Sequence, residues 1–327
     1  MAPKGKIVEV WGHNLVEEIV KIAEVLEDYP YVAIDTEFPG VVAEPVGHYK
    51  NQIEQRYQTL RVNVDMLKII QIGFSFADEA GNLCPDVSTW QFNFKFFLDS
   101  DTYAQDSINL LTGSGIDFER FQREGIDVED FGEKLISSGV VLNDNVKWIS
   151  FHSCYDFAYL LKAVTSQSMP EDREGFLDVV KMFFPNIYDM KYIAQERFRG
   201  GLNKLAAHYK VERNGQMHQA GSDSLVTELT FFKLRDDYGN YIEEVFNGKL
   251  FGIEDVPDGS LSPARTQQES ESPQRMESKE SIVVNAPSPA VLPDSVVLPM
   301  HSFSGSYEQI DGSEAFGREM NVQEYVY

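Results

Sequence analysis

Four apolar, β-prone residues in a row, Tyr31, Val32, Ala33 and Ile34, run straight into Asp35-Thr36-Glu37 and are stopped by Pro39-Gly40. An unbroken apolar run of this length suits a central strand buried on both faces. Side chains alternate along a strand, so Asp35 and Glu37 share one side of it. Two carboxylates at the end of a buried strand are unfavourable unless something cationic sits between them. Taken alone, an Asp-x-Glu at a strand end reads as a loop edge with two solvated acids. The rest of the chain reverses that weighting.

Upstream, Ile19, Ile22, Ala23 and Leu26 make an apolar stripe at helical spacing, with Asn14 and Glu17 at capping-box spacing before it. Trp11 is expected to anchor against the core. Downstream, Leu67–Phe76 and Trp90–Phe97 read as strands, the second half-buried because its aromatic and polar residues alternate. Together with the first strand they form a β-meander. Arg56–Asn63 is a polar connector that periodicity leaves unassigned. Tyr103 to about Gly139 reads as short helical pieces broken at Gly113, Gly115 and Gly125. Val146–Phe151 is another strand, and Phe157, Leu160, Leu161 and Val164 continue as a helical stripe. Asp156 thus falls in a first helical turn, where the helix dipole favours a carboxylate. Phe176–Phe184 is a helix stopped by Pro185, Ile187–Ile193 fits a short strand or a helix start, and Leu202–Tyr209 is a short helix. Leu225, Val226, Leu229 and Phe232 mark the last helix, with Asp223 in its first turn, Ser222 or Gly221 near its cap and His218 in the loop before it.

Of the 327 residues, 43% are hydrophobic and 12% aromatic, enough for a sizeable core. The net charge of −24 argues against a nucleic-acid binder that relies on its own electrostatics. An enzyme that draws nucleic acid in through bound metal ions stays compatible with it. Cys84 and Cys154 are the two cysteines, with no paired spacing, so a disulfide framework or zinc site is not expected. The N-terminus has no apolar signal core and no apolar run long enough to span a membrane occurs. The expectation is a soluble protein of the cytoplasm, with the nucleus as a second compartment. From Gly252 on, 13 acidic and 4 basic residues are mixed with Ser and Pro. Such a segment cannot bury enough apolar surface to fold alone. A folded domain over 1–251 and a disordered acidic tail over 252–327 are therefore expected. Ser262-Pro263, Ser272-Pro273 and Ser288-Pro289 are candidate phosphosites in that tail, and Ile282–Val284, Val291–Met300 and Tyr325–Tyr327 are candidate docking motifs.

Asp35, Glu37, Asp156 and Asp223 each close a strand or open a helix. All four can converge at one sheet edge, where α/β proteins place their sites. With His218 five residues before the last of them, the order is DxE, then D, then HxxxxD. Each piece is weak evidence; the set in this order is strong. It resembles the His-containing branch of the DEDD exonuclease superfamily. YVAIDTEFPGVVA, LRVNVDMLKIIQIG, STWQFNFKF, YAQDSI, SSGVVL, WISFHSCYDFAYLLK, FFPNIYDMKY and HQAGSDSLVT are similar to the catalytic CAF-type deadenylase subunit of the CCR–NOT complex. The likeness runs from about Val8 to about Leu234. Cys154 stands where that family usually has Gly, a small-for-small exchange that the backbone should tolerate.

The resemblance implies a ribonuclease H-like α/β fold, a mixed five-stranded sheet flanked by helices with the acids at one edge. It implies removal of poly(A) tails of messenger RNA from the 3′ end, releasing adenosine 5′-monophosphate. The implied partners are poly(A) RNA, the NOT scaffold subunit, the CCR-type deadenylase and antiproliferative adaptor proteins. Four acids with no thiolate suit two hard divalent cations, Mg²⁺ or Mn²⁺. By the same resemblance, Asp35 bridges both metals, Glu37 and Asp223 hold the one at the attacking water, and Asp156 holds the one at the leaving oxygen. His218 takes the proton. Phe38 is a candidate contact for the terminal base, with ordinary core packing the equal alternative. Leu135 and Ile136 are the candidate docking residues for the scaffold. Two other readings stay open at this stage: a scaffold-docking subunit with minor or lost catalysis, and a DEDD exonuclease acting on other RNA or on DNA.

Overall fold

A computed structural model describes residues 5–239 and 241–254 of the chain. Residues 255–327, with the Ser-Pro pairs and the candidate docking motifs, lie outside the described residues. The described residues form a single mixed sheet between two layers of helices. Its strands are β1 (Ile7–Val10), β2 (Tyr31–Glu37), β3 (Gln71–Ala77), β4 (Thr89–Asn93), β5 (Lys147–Ser150) and β6 (Ile187–Asp189). Their spatial order is β1-β4-β3-β2-β5-β6, so β2 lies inside the sheet. β2–β3 and β3–β4 pair antiparallel, which is the expected meander; β1–β4, β2–β5 and β5–β6 pair parallel.

The sheet has six strands where five were expected. The additional parallel edge at Ile7–Val10 is four residues long, too short for a periodic signal. Ile187–Asp189 is a strand that hands directly to a helix, so both readings of that stretch hold.

Strand alternation divides the core. Val32 and Ile34 of β2 face a layer made by α1 (Leu15–Leu26), α2 (Gln52–Met66), α5 (Val128–Ser137), α6 (Cys154–Thr165) and α7 (Arg173–Phe183). Tyr31 and Ala33 face α8 (Met190–Ala194), α9 (Leu202–His208), α10 (Ala220–Tyr238) and α11 (Tyr241–Val245). Between β4 and α5, α3 (Gln105–Gly113) and α4 (Phe118–Glu124) close a smaller cluster in which Trp11 is buried, as expected, with its ring edge on Phe121.

Three local expectations change. α1 starts at Leu15, but Asn14 makes no side-chain cap. Its Oδ1 accepts from the Trp11 N–H at 2.7 Å and its Nδ2 donates to the Glu9 carbonyl, bracing the turn that buries Trp11. The unassigned connector is the middle of α2, capped by Asn51, whose side chain accepts from the Glu54 N–H at 2.8 Å. Only Tyr57, Leu60 and Val64 carry its apolar face, so charged and polar neighbours hide the period. β4 is buried on both faces, because α10 covers its polar side. Gly73 of β3 permits that approach: a Cβ there would lie 2.0 Å from the Ala220 carbonyl oxygen.

The folded part also runs past the expected boundary at residue 251. Ile253 is buried in the core and its carbonyl accepts from Arg173 at 3.0 Å.

Candidate active site

Because β2 alternates, Asp35 and Glu37 face the α10 layer, where Asp223 sits in the first turn of α10. Ligand atoms of these three carboxylates lie within 4.8 Å of one another. Thr36 points to the opposite side, and its hydroxyl donates to Asp156 Oδ1 at 2.6 Å. Asp156 stands in the first turn of α6 and approaches the strand end from the other layer. All four acids line one cleft of about 610 Å³ together with Phe38, His152 and His218. The convergence expected from the sequence is therefore present, with three acids in a tight group and Asp156 held beside it through Thr36.

The site is electrostatically unfavourable as it stands. Burial raises Asp35 well above the usual carboxylate range, and the charges of Asp223, Asp156 and Glu37 add to the effect. Burial does the same to Glu37, with Asp223 and Asp156 adding to it. Both residues keep some surface open to the cleft, yet lie deep enough for desolvation to lead. Asp156 is pushed up to about 7 by burial, against the opposing hydrogen bond from Thr36. One cation from the chain offsets part of this. Arg213 Nη2 lies 2.7 Å from Asp223 Oδ1, and its other contacts are Ser222 Oγ at 3.0 Å and Asn203 Oδ1 at 2.5 Å.

Asp223 also caps its own helix. Its Oδ2 accepts from the N–H groups of His218 at 2.8 Å and Gln219 at 3.3 Å. The helix starts at Ala220 with Gln219 in the N-cap position, so neither Ser222 nor Gly221 serves there. His218 and His152 both adopt left-handed backbone, with φ of 60° and 61°. Each such residue costs about 1–3 kcal/mol and persists only where its surroundings over-determine it. For His152 the determinant is Asp189, fully buried at the end of β6. Its carboxylate accepts four backbone N–H groups: His152 at 2.8 Å, Lys191 at 2.9 Å, Phe251 at 3.0 Å and Ser153 at 3.3 Å. The turn between β5 and Asp156 is thus fixed by a carboxylate that has no sequence neighbour in the site.

Phe38 lines the cleft and also packs, its ring stacked on Tyr155 and Tyr159 at 5.1 and 5.2 Å. Leu135 does not reach a surface. It is fully buried under α6, because the inward face of α5 carries it with Phe131. Ile136, one position on, is 43% exposed. Cys154 is accommodated as the first residue of α6, where burial pushes its thiol up to about 12.

Sequence reasoning missed Thr36, Arg213, Asp189 and His152. Thr36 had a signal, since it alternates with the two acids. Asp189 and His152 had none, since they meet across 37 residues, and Arg213 had none because the loop that folds it back on Asp223, ten residues on, has no period.

The donor set fits a divalent cation. It consists of carboxylate oxygens only, and the buried thiol of Cys154 belongs to the core cluster.

Similar proteins give the same picture. The Poly(A) ribonuclease pop2 of Schizosaccharomyces pombe is 49% identical over 251 residues, 76% of this chain and 75% of the relative. The structure of S. pombe Pop2p in its Mg²⁺- and Mn²⁺-bound form is 47% identical and superposes with a TM-score of 0.73, covering 76% of this chain and all of that one. The yeast NOT1 MIF4G domain co-crystallised with CAF1 gives a match at 33% identity and a TM-score of 0.63, covering 75% of this chain and 96% of the matched one. The CAF1 family ribonuclease pattern spans residues 10–131 and 133–231, and the chain belongs to that family.

Proposed function

We propose that this chain is a 3′-to-5′ exoribonuclease that shortens poly(A) tails and releases adenosine 5′-monophosphate. The observation that carries the reading is the group of Asp35, Glu37 and Asp223 within 4.8 Å, with Asp156 in the same cleft, in a CAF1-family chain. Asp35, Glu37, Asp156 and Asp223 would hold Mg²⁺ or Mn²⁺. When bound, two such ions supply Lewis acidity at the attacking and leaving oxygens and neutralise charge developing on the phosphoryl group. His218 at the cleft wall accepts the proton of the attacking water. Phe38, backed by Tyr155 and Tyr159, offers the terminal base an aromatic surface already held in place.

Within a CCR–NOT-like assembly, the exposed Ile136 on α5 docks the NOT scaffold, and a CCR-type deadenylase and antiproliferative adaptors are the further partners. The cytoplasm, with the nucleus, is the compartment we assign. Ile136→Arg should leave the protein folded and active yet unable to co-purify with the scaffold; unchanged binding removes that docking site.

A gel time course tests the activity. Wild-type protein with Mg²⁺ or Mn²⁺ should shorten a 3′-oligoadenylated RNA faster than a non-A-tailed RNA or the DNA equivalent. Asp35→Ala, Glu37→Ala, Asp156→Ala and Asp223→Ala should each nearly abolish shortening while keeping the fold. Robust shortening by any of the four refutes the assignment of that acid, and equal rates on all three substrates refute the poly(A) preference.

A further inference from the structure

The start of α10 must hold Asp223, and the loop before it His218, at a fixed height above β2, yet Gln219 in the cap position is not Ser, Thr, Asp or Asn. The first N–H groups of a helix have no intrahelical partners. Two of them here are taken by side chains from the sheet. Ala220 N donates to Gln71 Oε1 at 3.2 Å and Gly221 N donates to Gln91 Oε1 at 3.0 Å. Gln71 and Gln91 lie on β3 and β4, on the face that α10 covers, and are 1% and 5% exposed.

Their amide nitrogens are used as well. Gln71 Nε2 and Gln91 Nε2 both donate to Gln219 Oε1, each at 3.1 Å, and Gln71 Nε2 also reaches Asn93 Oδ1 at 2.8 Å. Gln219 Nε2 in turn donates to the Ser114 carbonyl at 2.8 Å. Ser114 is the C-cap of α3, and α3 supplies Ser107, Leu110 and Leu111 to the cleft that His218 also lines. Three amides therefore connect the sheet, the start of α10 and the end of α3, a helix that also lines the cleft. Buried polar groups are costly unless satisfied, so the buried Gln71 and Gln91, joined through the half-buried Gln219, impose one geometry rather than fill space.

We propose that Gln71, Gln91 and Gln219 are positioning residues. They set Asp223 for the metal and His218 for the reacting water, and they fix the spacing between the α10 and α3 walls. None of the three touches substrate or metal in this scheme. The inference rests on the function proposed above for its kinetic part only. Partners that hold a metal ligand in place typically change metal affinity or activity by about 10–100-fold when removed.

The test uses the full chain carrying Gln219→Met, and separately Gln91→Met, each of similar length to the native side chain. Two readouts are taken well below the melting temperature: Mn²⁺ affinity by titration calorimetry, and kcat and KM on oligoadenylate at saturating Mn²⁺. The expected result is Mn²⁺ binding weaker by about tenfold or more, and kcat lower by a similar factor with KM within about threefold. Should Gln219→Met fail to fold, Gln91→Met decides, because it leaves the Gln219–Ser114 bond in place. A variant whose melting temperature falls while Mn²⁺ affinity and kcat stay within twofold of wild type overturns the proposal, because it shows a structural role alone. A wild type that binds Mn²⁺ but leaves RNA intact removes the function, and the calorimetric arm still judges the network.

Discussion

Glu228, on α10 beneath β2, is fully buried, and burial holds its carboxyl well above the usual range. The Ala33 backbone and the Arg235 charge offset this in part, yet neither closes a hydrogen bond of ordinary geometry to the carboxylate. The folded protein therefore binds a proton at Glu228 that the unfolded chain releases near its ordinary value of 4.5. Its contribution is fully present below that unfolded value and is lost as pH rises through the folded one, at about 1.4 kcal/mol per pH unit in that window. Glu228→Gln stays neutral throughout. Its melting temperature should match wild type near pH 4.5 and exceed it increasingly toward pH 8. Parallel curves for the two proteins would show that Glu228 is not protonated in the native state. His218 makes a second prediction at this scale. If it accepts the proton, His218→Ala should lower kcat by about 10²–10⁴-fold and alter the acidic limb of the pH–rate profile. A variant that keeps kcat and that limb, with only KM raised, would make His218 a substrate-positioning residue.

Among the elements, α2 does more than its weak apolar stripe suggests. Asn63, fully buried on it, uses all its side-chain bonding capacity: Oδ1 accepts from Val42 N and Ala43 N at 2.7 and 3.0 Å, and Nδ2 donates to the Ala43 and Thr59 carbonyls at 2.6 and 2.8 Å. The segment that leaves β2 past Phe38 is thereby tied to a helix. At its start Gly40 turns with φ 89°, and a Cβ there would meet Ser107 Oγ at 2.3 Å. Asn63→Ala should cost about 1–3 kcal/mol, the penalty for leaving such groups unpaired. It should also raise KM for RNA, because the segment that follows Phe38 along the cleft is no longer tied to α2. Urea unfolding together with steady-state kinetics checks both parts; a stability loss with unchanged KM would confine Asn63 to folding.

At the scale of the molecule, the end of the described fold matters more than composition suggests. Leu250 and Ile253 are 0% and 1% exposed, and the Phe251 N–H is one of the four held by Asp189. Truncation after Glu254 should keep both the melting temperature and the exonuclease rate. Truncation after Lys249 removes two core side chains, each worth roughly 2–5 kcal/mol, and loosens the turn before Asp156. It should lower the melting temperature by many degrees and depress activity. Equal stability of the two truncations would remove this segment from the core. The acidic site acts at the same scale. Mn²⁺ relieves the repulsion among the clustered carboxylates, so at about 100-fold above its Kd it should stabilise the fold by about 2.7 kcal/mol. For a domain of this size that is a rise of roughly 5–11 °C, and Asp35→Asn should abolish most of it. An unchanged melting temperature with Mn²⁺ would contradict a metal site built from these acids.

Much of the site was legible because its signals are local. The apolar run into Asp35-Thr36-Glu37 makes a strand by period two, and Asp156 and Asp223 fall in first helical turns by period 3.6. Those periods alone put two acids on one side and made convergence at a sheet edge the natural arrangement. What they left out depends on which surface packs opposite. Gln91 and Asn93 look like the wet side of β4 until α10 covers them, and then they become buried donors and acceptors. Leu135 and Ile136 are neighbours in sequence, yet the position of α6 alone makes one core and the other surface. Asp189 gathers four N–H groups from three segments, two of them 36 or more residues away, which no local period announces. Periodicity is a property of the chain; burial and the partner of a polar group belong to the packed molecule, because only neighbours brought from far along the chain can exclude water from them.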